Sequence, residues 1–89
     1  MVLIEILTAP GCAYCEMAKS RVSRTVQRVG MNVLDLTVKV VDIVAHPEIG
    51  LKYDVRSTPA IAINGQLVFV GLPREEDLKA KIAGALALK

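Results

Sequence analysis

The chain has 89 residues, of which 53% are hydrophobic and 22% charged, which fits one folded domain over residues 1–89 and excludes a disordered chain. A formal net charge of +2 and an aromatic content of 3% are too small for a nucleic-acid interface. The longest apolar run, residues 82–88, is far shorter than the roughly 20 residues of a bilayer span, and residues 1–7 lack the basic start of a secretion signal. We therefore expect a monomeric cytoplasmic protein without nucleic-acid or membrane partners.

The first half of the chain predicts a strand, a helix and a second strand. Residues 2–7 are almost entirely apolar, with Glu5 the one polar position, which is typical of a buried central strand. From Cys15 onward apolar residues recur at the spacing of one helical face, and Gly30 favours the end of that helix. Residues 32–44 alternate with a period of two, which predicts the second strand. A crossover through a helix makes these two strands parallel.

The next elements are a short helix and a hairpin. Pro47 favours the first position of a helix that runs through Tyr53. Two short strand-like runs follow, residues 60–63 and 67–70, and the Asn-Gly pair between them at residues 64–65 is a strong signal for a tight turn. The two runs are therefore predicted to pair antiparallel.

A last helix completes the predicted order. Pro73 lies at its start, acidic residues follow in the first turn, and apolar residues recur every four positions from Leu78. The element order is β-α-β-α-β-β-α. This order predicts an α/β domain with a mixed four-stranded sheet and helices on both faces.

The two cysteines, Cys12 and Cys15, lie at Cys-x-x-Cys spacing between the first strand and the first helix. A disulfide between them closes a loop of only four residues and adds little stability, so redox chemistry or metal binding explains the pair better. Reactive groups of open α/β sheets lie at this end of a strand. Cys12 precedes the helix, whose positive amino end favours a thiolate. We therefore assign Cys12 as the nucleophile of disulfide exchange and Cys15 as the resolving thiol.

Three motifs in order carry a family resemblance: Cys-Ala-Tyr-Cys at residues 12–15, Thr-Pro at residues 58–59 and Asn-Gly at residues 64–65. Together they resemble the thioredoxin and glutaredoxin superfamily over nearly the whole chain, and the length and the Tyr before the second Cys resemble small glutaredoxin-like redoxins. The resemblance implies a thioredoxin-like fold and a cis Thr-Pro bond that faces the cysteines and pairs with an extended substrate. The substrate-binding residues that we predict are Gly11, Ala13, Tyr14, Thr58, Pro59 and Gly71.

Some positions depart from the patterns of these families. Thioredoxins usually carry a Trp directly before the first Cys and a buried acid six residues before it, and here Gly11 and Ile6 occupy those places, so we expect no buried carboxylate relay. Glutaredoxins usually carry a Lys shortly before the first Cys and a Gly-Gly pair followed by an acid after the hairpin. This chain has Thr8 and Gly-Leu-Pro-Arg at residues 71–74 instead. We expect no bound cofactor, and either a thioredoxin-reductase-type enzyme or glutathione as the electron donor.

A metal site is the alternative use of the cysteine pair. Small copper chaperones also place Cys-x-x-Cys between a first strand and a first helix, and thiolates bind Cu(I) well. A closed zinc site needs four ligands, whereas this chain offers two thiols and His46. Because the copper chaperones end on a strand and this chain is predicted to end on a helix, we favour a thiol-disulfide oxidoreductase. Its predicted partners are disulfide-containing protein substrates and a reductase; a Cu or Zn carrier is the alternative.

Arginines at positions 21, 24 and 28 share one face of the first predicted helix. Such a face can dock an acidic reductase, and it is also the usual form of a solvated basic stripe. Both interpretations stay open at the level of the sequence.

Overall fold

The computed structural model describes residues 2–29 and 36–87, and within these ranges the elements follow the predicted β-α-β-α-β-β-α order. They are β1 (Val2–Thr8), α1 (Cys15–Val29), β2 (Leu36–Asp42), α2 (Pro47–Lys52), β3 (Ala60–Ile63), β4 (Gln66–Val70) and α3 (Glu75–Ala87). The predicted helix end at Gly30 and the first positions of the predicted second strand, residues 32–35, lie outside the described residues. None of the described helices is long and apolar enough to cross a membrane.

The sheet is mixed and has the strand order β2-β1-β3-β4. The apolar strand β1 is central, as its composition predicts, and it pairs in parallel with β2 and antiparallel with β3. Leu7 of β1 lies opposite Ala60 of β3. The carboxyl end of β1 and the residue that precedes β3 therefore lie at the same end of the sheet.

Two apolar clusters cover the two faces of the sheet. Alternate side chains of a strand point to opposite faces, so Ile4 and Ile6 face one way and Leu7 the other. The first cluster joins β1 to the helices α1 and α3, and the second joins β1 and β3 to α2 and the segment after it. The buried side chains of the first cluster are Val2, Ile4, Ile6, Val22, Val26, Leu36, Ile61, Ile63, Leu78 and Ile82. Those of the second are Leu7, Tyr53, Ala60 and Ala62, with Ile49 and Val55 partly buried beside them. Helices thus lie on both faces, as predicted.

The basic face of α1 lies against the start of α3. The Arg21 guanidinium donates a hydrogen bond of 2.9 Å from Nη1 to the Pro73 carbonyl oxygen. Arg24 lies 3.5 Å from a Glu75 carboxylate oxygen, and Arg28 pairs with the other oxygen of the same carboxylate. The side chains of Arg24 and Arg28 remain 54% and 60% exposed. The face is therefore solvated and also joined to α3, an arrangement that neither interpretation of the sequence included.

The predicted hairpin is present and has a two-residue turn. Asn64 and Gly65 have φ of +52° and +82°, the left-handed values that a tight turn between twisted strands requires. The Asn64 side-chain oxygen accepts a hydrogen bond of 2.9 Å from the Leu3 amide, and its own amide donates to the Leu3 carbonyl at 2.8 Å. The turn is therefore fixed to the amino end of β1.

Two element boundaries differ from the prediction by about two residues. The second strand ends at Asp42, not at residue 44, because the Asp42 carboxylate accepts hydrogen bonds from the amides of Val44 and Ala45 and turns the chain. The last helix begins at Glu75, two residues after Pro73, whose carbonyl is the acceptor for Arg21. The acidic residues nevertheless occupy the first turn of α3, as predicted.

Candidate active site

The loop between β1 and α1 carries both cysteines. Gly11 has a φ of +77°, which L side chains rarely adopt, and a Cβ there would meet no neighbouring atom, so the turn conformation alone calls for glycine. The Cys12 amide donates to the Ala9 carbonyl at 3.3 Å. Cys15 is the first residue of α1, and its sulfur is bonded to that of Cys12, with an S–S distance of 2.14 Å and a Cα–Cα distance of 5.5 Å. The structure therefore represents the oxidised form of the protein.

The two sulfur-bearing residues differ in exposure. Cys15 is 5% exposed and belongs to the core, whereas Cys12 is half-buried. Ala13 and Tyr14 between them are exposed, Tyr14 by 56%. Cys12 is therefore the more accessible of the two residues, and the exposed Tyr14 ring lies on the same loop.

The amino end of α1 supplies the electrostatic environment of the pair. Unpaired amides and the helix dipole place partial positive charge there, which stabilises a thiolate on a residue just before the helix. Glu16 brings a negative charge into the first turn, and the Lys19 ammonium lies 2.6 Å from its carboxylate. The added negative charge is thus paired within the helix.

The predicted substrate-binding residues from the second half of the chain lie at the same end of the sheet. The Thr58-Pro59 peptide bond is cis, as the family resemblance implies. Pro59 directly precedes β3, and the pairing of β3 with β1 brings it to the end from which the cysteine loop departs. The Gly71 amide donates a 2.7 Å hydrogen bond to the Pro59 carbonyl, with Gly71 at a φ of +92°. The fold thereby gathers all of the predicted site residues at one end of the sheet.

A buried carboxylate that we did not expect lies in β1. Ile6 occupies the place of the family's acid, as the sequence shows, but the preceding residue, Glu5, is only 8% exposed and faces the opposite side of the sheet. The Tyr53 hydroxyl donates a 2.5 Å hydrogen bond to Glu5 Oε1. Burial raises the pKa of Tyr53 to about 12, and the bond to the Glu5 carboxylate adds to the rise. The carboxylate of Glu5 is therefore buried against Tyr53, while the expectation of no carboxylate relay at the position of Ile6 stays a prediction.

The sequence contained one signal for this carboxylate. Glu5 is the single polar residue of an apolar central strand, and a charge at such a position is buried only when a partner satisfies it. That partner, Tyr53, lies 48 residues away along the chain. The pairing could be recognised only once the fold had placed α2 over β1.

In the described ranges, no group of three or more His, Cys, Asp or Glu side chains is arranged to hold a metal ion. The two sulfurs of the alternative metal site are bonded to each other. A disulfide has no thiolate to offer a metal, so any metal binding belongs to the reduced protein.

A family model described as a thioredoxin domain matches residues 2–83. The chain is 38% identical over 78 residues to a probable thioredoxin of Methanothermobacter thermautotrophicus, covering 88% of each. It is 33% identical over 78 residues to a thioredoxin of Methanocaldococcus jannaschii, covering 86% of this chain and 87% of that protein.

Among solved structures, the fold is similar to that of a protein disulfide oxidoreductase from Aeropyrum pernix K1. The TM-score is 0.76 with 37% sequence identity, and the match covers 99% of this chain and 38% of the longer one. The relatives, the fold and the Cys-x-x-Cys pair agree with one another. The chain therefore belongs to the thioredoxin-domain family and is a dithiol-disulfide oxidoreductase.

Proposed function

We propose that the protein reduces disulfide bonds of protein substrates, with Cys12 as the attacking thiol and Cys15 as the resolving thiol. The observation that carries the assignment is the difference in exposure: Cys15 is 5% exposed in the first turn of α1, and Cys12 is the more accessible residue before that helix. The thiolate is the reactive form, and the helix amino end stabilises it at Cys12.

The exchange proceeds in two balanced steps. The Cys12 thiolate attacks one sulfur of the substrate disulfide, the substrate S–S bond breaks, and the released substrate sulfur takes up a proton. Cys15 then loses its proton and attacks the Cys12 sulfur of the mixed disulfide, which releases the second substrate thiol. Two electrons and two protons pass to the substrate, and the Cys12–Cys15 disulfide remains. The structure contains the pair in this disulfide form.

The substrate groove of the proposal lies around the cysteine loop. Gly11, Ala13 and Tyr14 form its near side, and Thr58, Pro59 and Gly71 form the far side at the same end of the sheet. An extended substrate segment would add its backbone to this edge, with its disulfide over Cys12. The exposed Tyr14 ring supplies apolar contact area for such a segment.

The first turn of α3 supports a reductase-type protein as the electron donor over glutathione. Glu75, Glu76 and Asp77 all lie in that turn, where the amino end of a helix would otherwise attract the carboxylates of glutathione. Glu75 is paired with Arg24 and Arg28, and Glu76 with Arg74, so Asp77 is the acidic side chain of this turn that opposes a second anion. We expect glutathione to reduce the Cys12–Cys15 disulfide slowly, as measured by alkylation of the free thiols and mass. Reduction by glutathione as fast as by a thioredoxin-type reductase would contradict this expectation.

Replacement of Cys15 with Ser tests the two thiol roles. The reduced Cys15→Ser variant is mixed with a synthetic peptide that contains one intramolecular disulfide, and the adduct is located by mass after alkylation. The expected product is a stable mixed disulfide on Cys12, because no resolving thiol is present to release it. The matched Cys12→Ser variant should trap much less adduct, since Cys15 is buried. Equal trapping by both variants, or none in Cys15→Ser, would overturn the assignment.

A redox titration separates this function from the soft-metal carrier. Purified protein of known metal content is equilibrated in dithiothreitol buffers, and its free thiols are counted by mass. A reversible two-electron transition between about −200 and −300 mV is expected for a dithiol that exchanges with cellular reductants. Stoichiometric Cu or Zn that holds both thiols, with no disulfide formed, would instead favour the carrier.

The proposed cytoplasmic location and monomeric state stay predictions of the sequence.

A further inference from the structure

The Glu5–Tyr53 pair joins the two chain segments from which the thiol site is built. Glu5 lies on β1, the strand that leads into the cysteine loop, and Tyr53 lies at the end of α2, shortly before Thr58 and Pro59. Both residues are 8% exposed, and their hydrogen bond is a buried polar contact between these two segments, beside the apolar packing of Leu7 against Tyr53 in the second cluster. The mechanism proposed above uses neither residue.

The segment between Tyr53 and Pro59 is held at its carboxyl end by backbone pairing. Ala60, which follows Pro59, pairs with Leu7 of β1 and belongs to the buried second cluster. Pro59 also accepts the hydrogen bond from the Gly71 amide. The ladder therefore fixes Pro59 to β1 from this side.

The upstream end depends on Tyr53. Asp54 follows it with a φ of +52°, outside any helix or strand, and the Val55 amide returns to the Gly50 carbonyl at 2.9 Å. Arg56 and Ser57 are exposed. The Tyr53 ring, packed with the second cluster and bonded to Glu5, is thus the last buried anchor before the substrate-contact residues.

We infer that Glu5 and Tyr53 are positioning residues: their buried hydrogen bond holds the segment from Asp54 to Pro59 in register with the cysteine loop, so that a protein substrate contacts both at once. The inference rests on the proposed function, because it concerns the groove of that same site. It assigns the pair to substrate binding and gives the Glu5 carboxylate no part in proton transfer. The geometry of a bound substrate depends on such supporting contacts, and small displacements are costly.

Replacement of Tyr53 with Phe removes the hydroxyl and keeps the ring. We expect the KM for the disulfide peptide to rise about fivefold with kcat nearly unchanged, which is the signature of weakened binding without damage to the reacting groups. The rate of Cys12 alkylation by iodoacetamide in the reduced protein should stay at the wild-type value, since the cysteine loop is untouched. A rise in KM alone is the result that supports the inference.

Replacement of Glu5 with Gln is the conservative test. The amide oxygen of Gln still accepts the hydrogen bond from Tyr53, so KM should stay near the wild-type value although the charge is gone. A fall in kcat, or a shifted pH profile of Cys12 alkylation, in Glu5→Gln would show that the ionised carboxylate acts on the thiols and would overturn the positioning role.

Thr25→Val is the matched control for lost stability. Thr25 is 1% exposed and its hydroxyl donates a part-buried hydrogen bond to the Arg21 carbonyl within α1, so this variant also loses a side-chain hydrogen bond but leaves Tyr53 and its segment intact. Its KM should not change. An equal rise in KM in Thr25→Val and Tyr53→Phe would assign the effect to general destabilisation and contradict the inference.

A double variant covers the case in which Tyr53→Phe does not fold because Glu5 is left buried without a partner. Glu5→Leu combined with Tyr53→Phe replaces both groups with apolar ones, an exchange that costs less than removal of one partner. Its KM should also be raised, and a wild-type KM would overturn the inference. Failure of the wild-type protein to reduce the peptide would count against the proposed function itself, since that result does not depend on either variant.

Discussion

At the scale of single residues, Tyr53 gives a pH dependence that can be measured. Its pKa is raised from 10.0 to about 12 in the folded protein by burial and by the bond to Glu5. A raised folded-state pKa means that the contribution to stability is complete below pH 10 and is lost as the pH rises towards 12. Urea unfolding across this range should therefore show a steeper loss of stability in the wild-type protein than in Tyr53→Phe. Parallel pH profiles of the two proteins would contradict the assignment.

Short motifs in the sequence indicate candidate site residues but not how these residues are arranged in the fold. The cysteines, the Thr-Pro pair and Gly71 were proposed as site residues because each belongs to a short motif or to its immediate flank. Their gathering at one end of the sheet needed the register of β1 with β3, which no motif contains. The partner of Glu5 could not be predicted, because Tyr53 is 48 residues away along the chain.

At the scale of elements, two glycines in different conformations predict opposite effects of alanine. Gly65 in the hairpin turn has a φ of +82°, and Gly84 lies inside α3; a Cβ at either position would meet no neighbouring atom. Gly65→Ala should lower the free energy of unfolding by about 1 to 2 kcal/mol, because alanine is strained at positive φ. Gly84→Ala should raise it by about 1 kcal/mol, because alanine favours a helix. Chemical denaturation measures both, and changes of the same sign would contradict the explanation.

The elements were predictable to the extent that their patterns are local. The hairpin strands and the start of α1 agree with the sequence because a turn signal and an apolar periodicity define them. The end of β2 differs because the Asp42 carboxylate accepts hydrogen bonds from two backbone amides there. The Asp42 contacts are local, but a single turn residue leaves no regular spacing that would mark where the strand ends.

At the scale of the whole molecule, the disulfide contributes less to stability than the two apolar clusters. Cys12 and Cys15 are three positions apart, and closing so short a loop restricts the unfolded chain by about 2 kcal/mol. Full burial of one large apolar side chain contributes about 1.5 to 3 kcal/mol, and the clusters hold many such side chains. The reduced protein should therefore stay folded.

Urea unfolding of the oxidised and reduced forms measures this contribution. The free energies of unfolding should differ by about 2 kcal/mol or less, with the same denaturant slope because the same surface is exposed on unfolding. A double Cys12→Ser and Cys15→Ser variant, which cannot form the bond, is the control and should match the reduced form. Loss of the folded state on reduction would show that the pair has a structural role, contrary to this prediction.

The hairpin turn lies at the far end of the sheet from the cysteines. Its contact is with Leu3, whereas the cysteine loop leaves β1 after Thr8, and at about 3.3 Å per residue these points are about 17 Å apart. The cysteines and the hairpin turn therefore lie at opposite ends of β1. A protein attached to an electrode or a bead through the turn would present its thiols to the solution, so that electrons could be exchanged at one end while the other end carries the linkage.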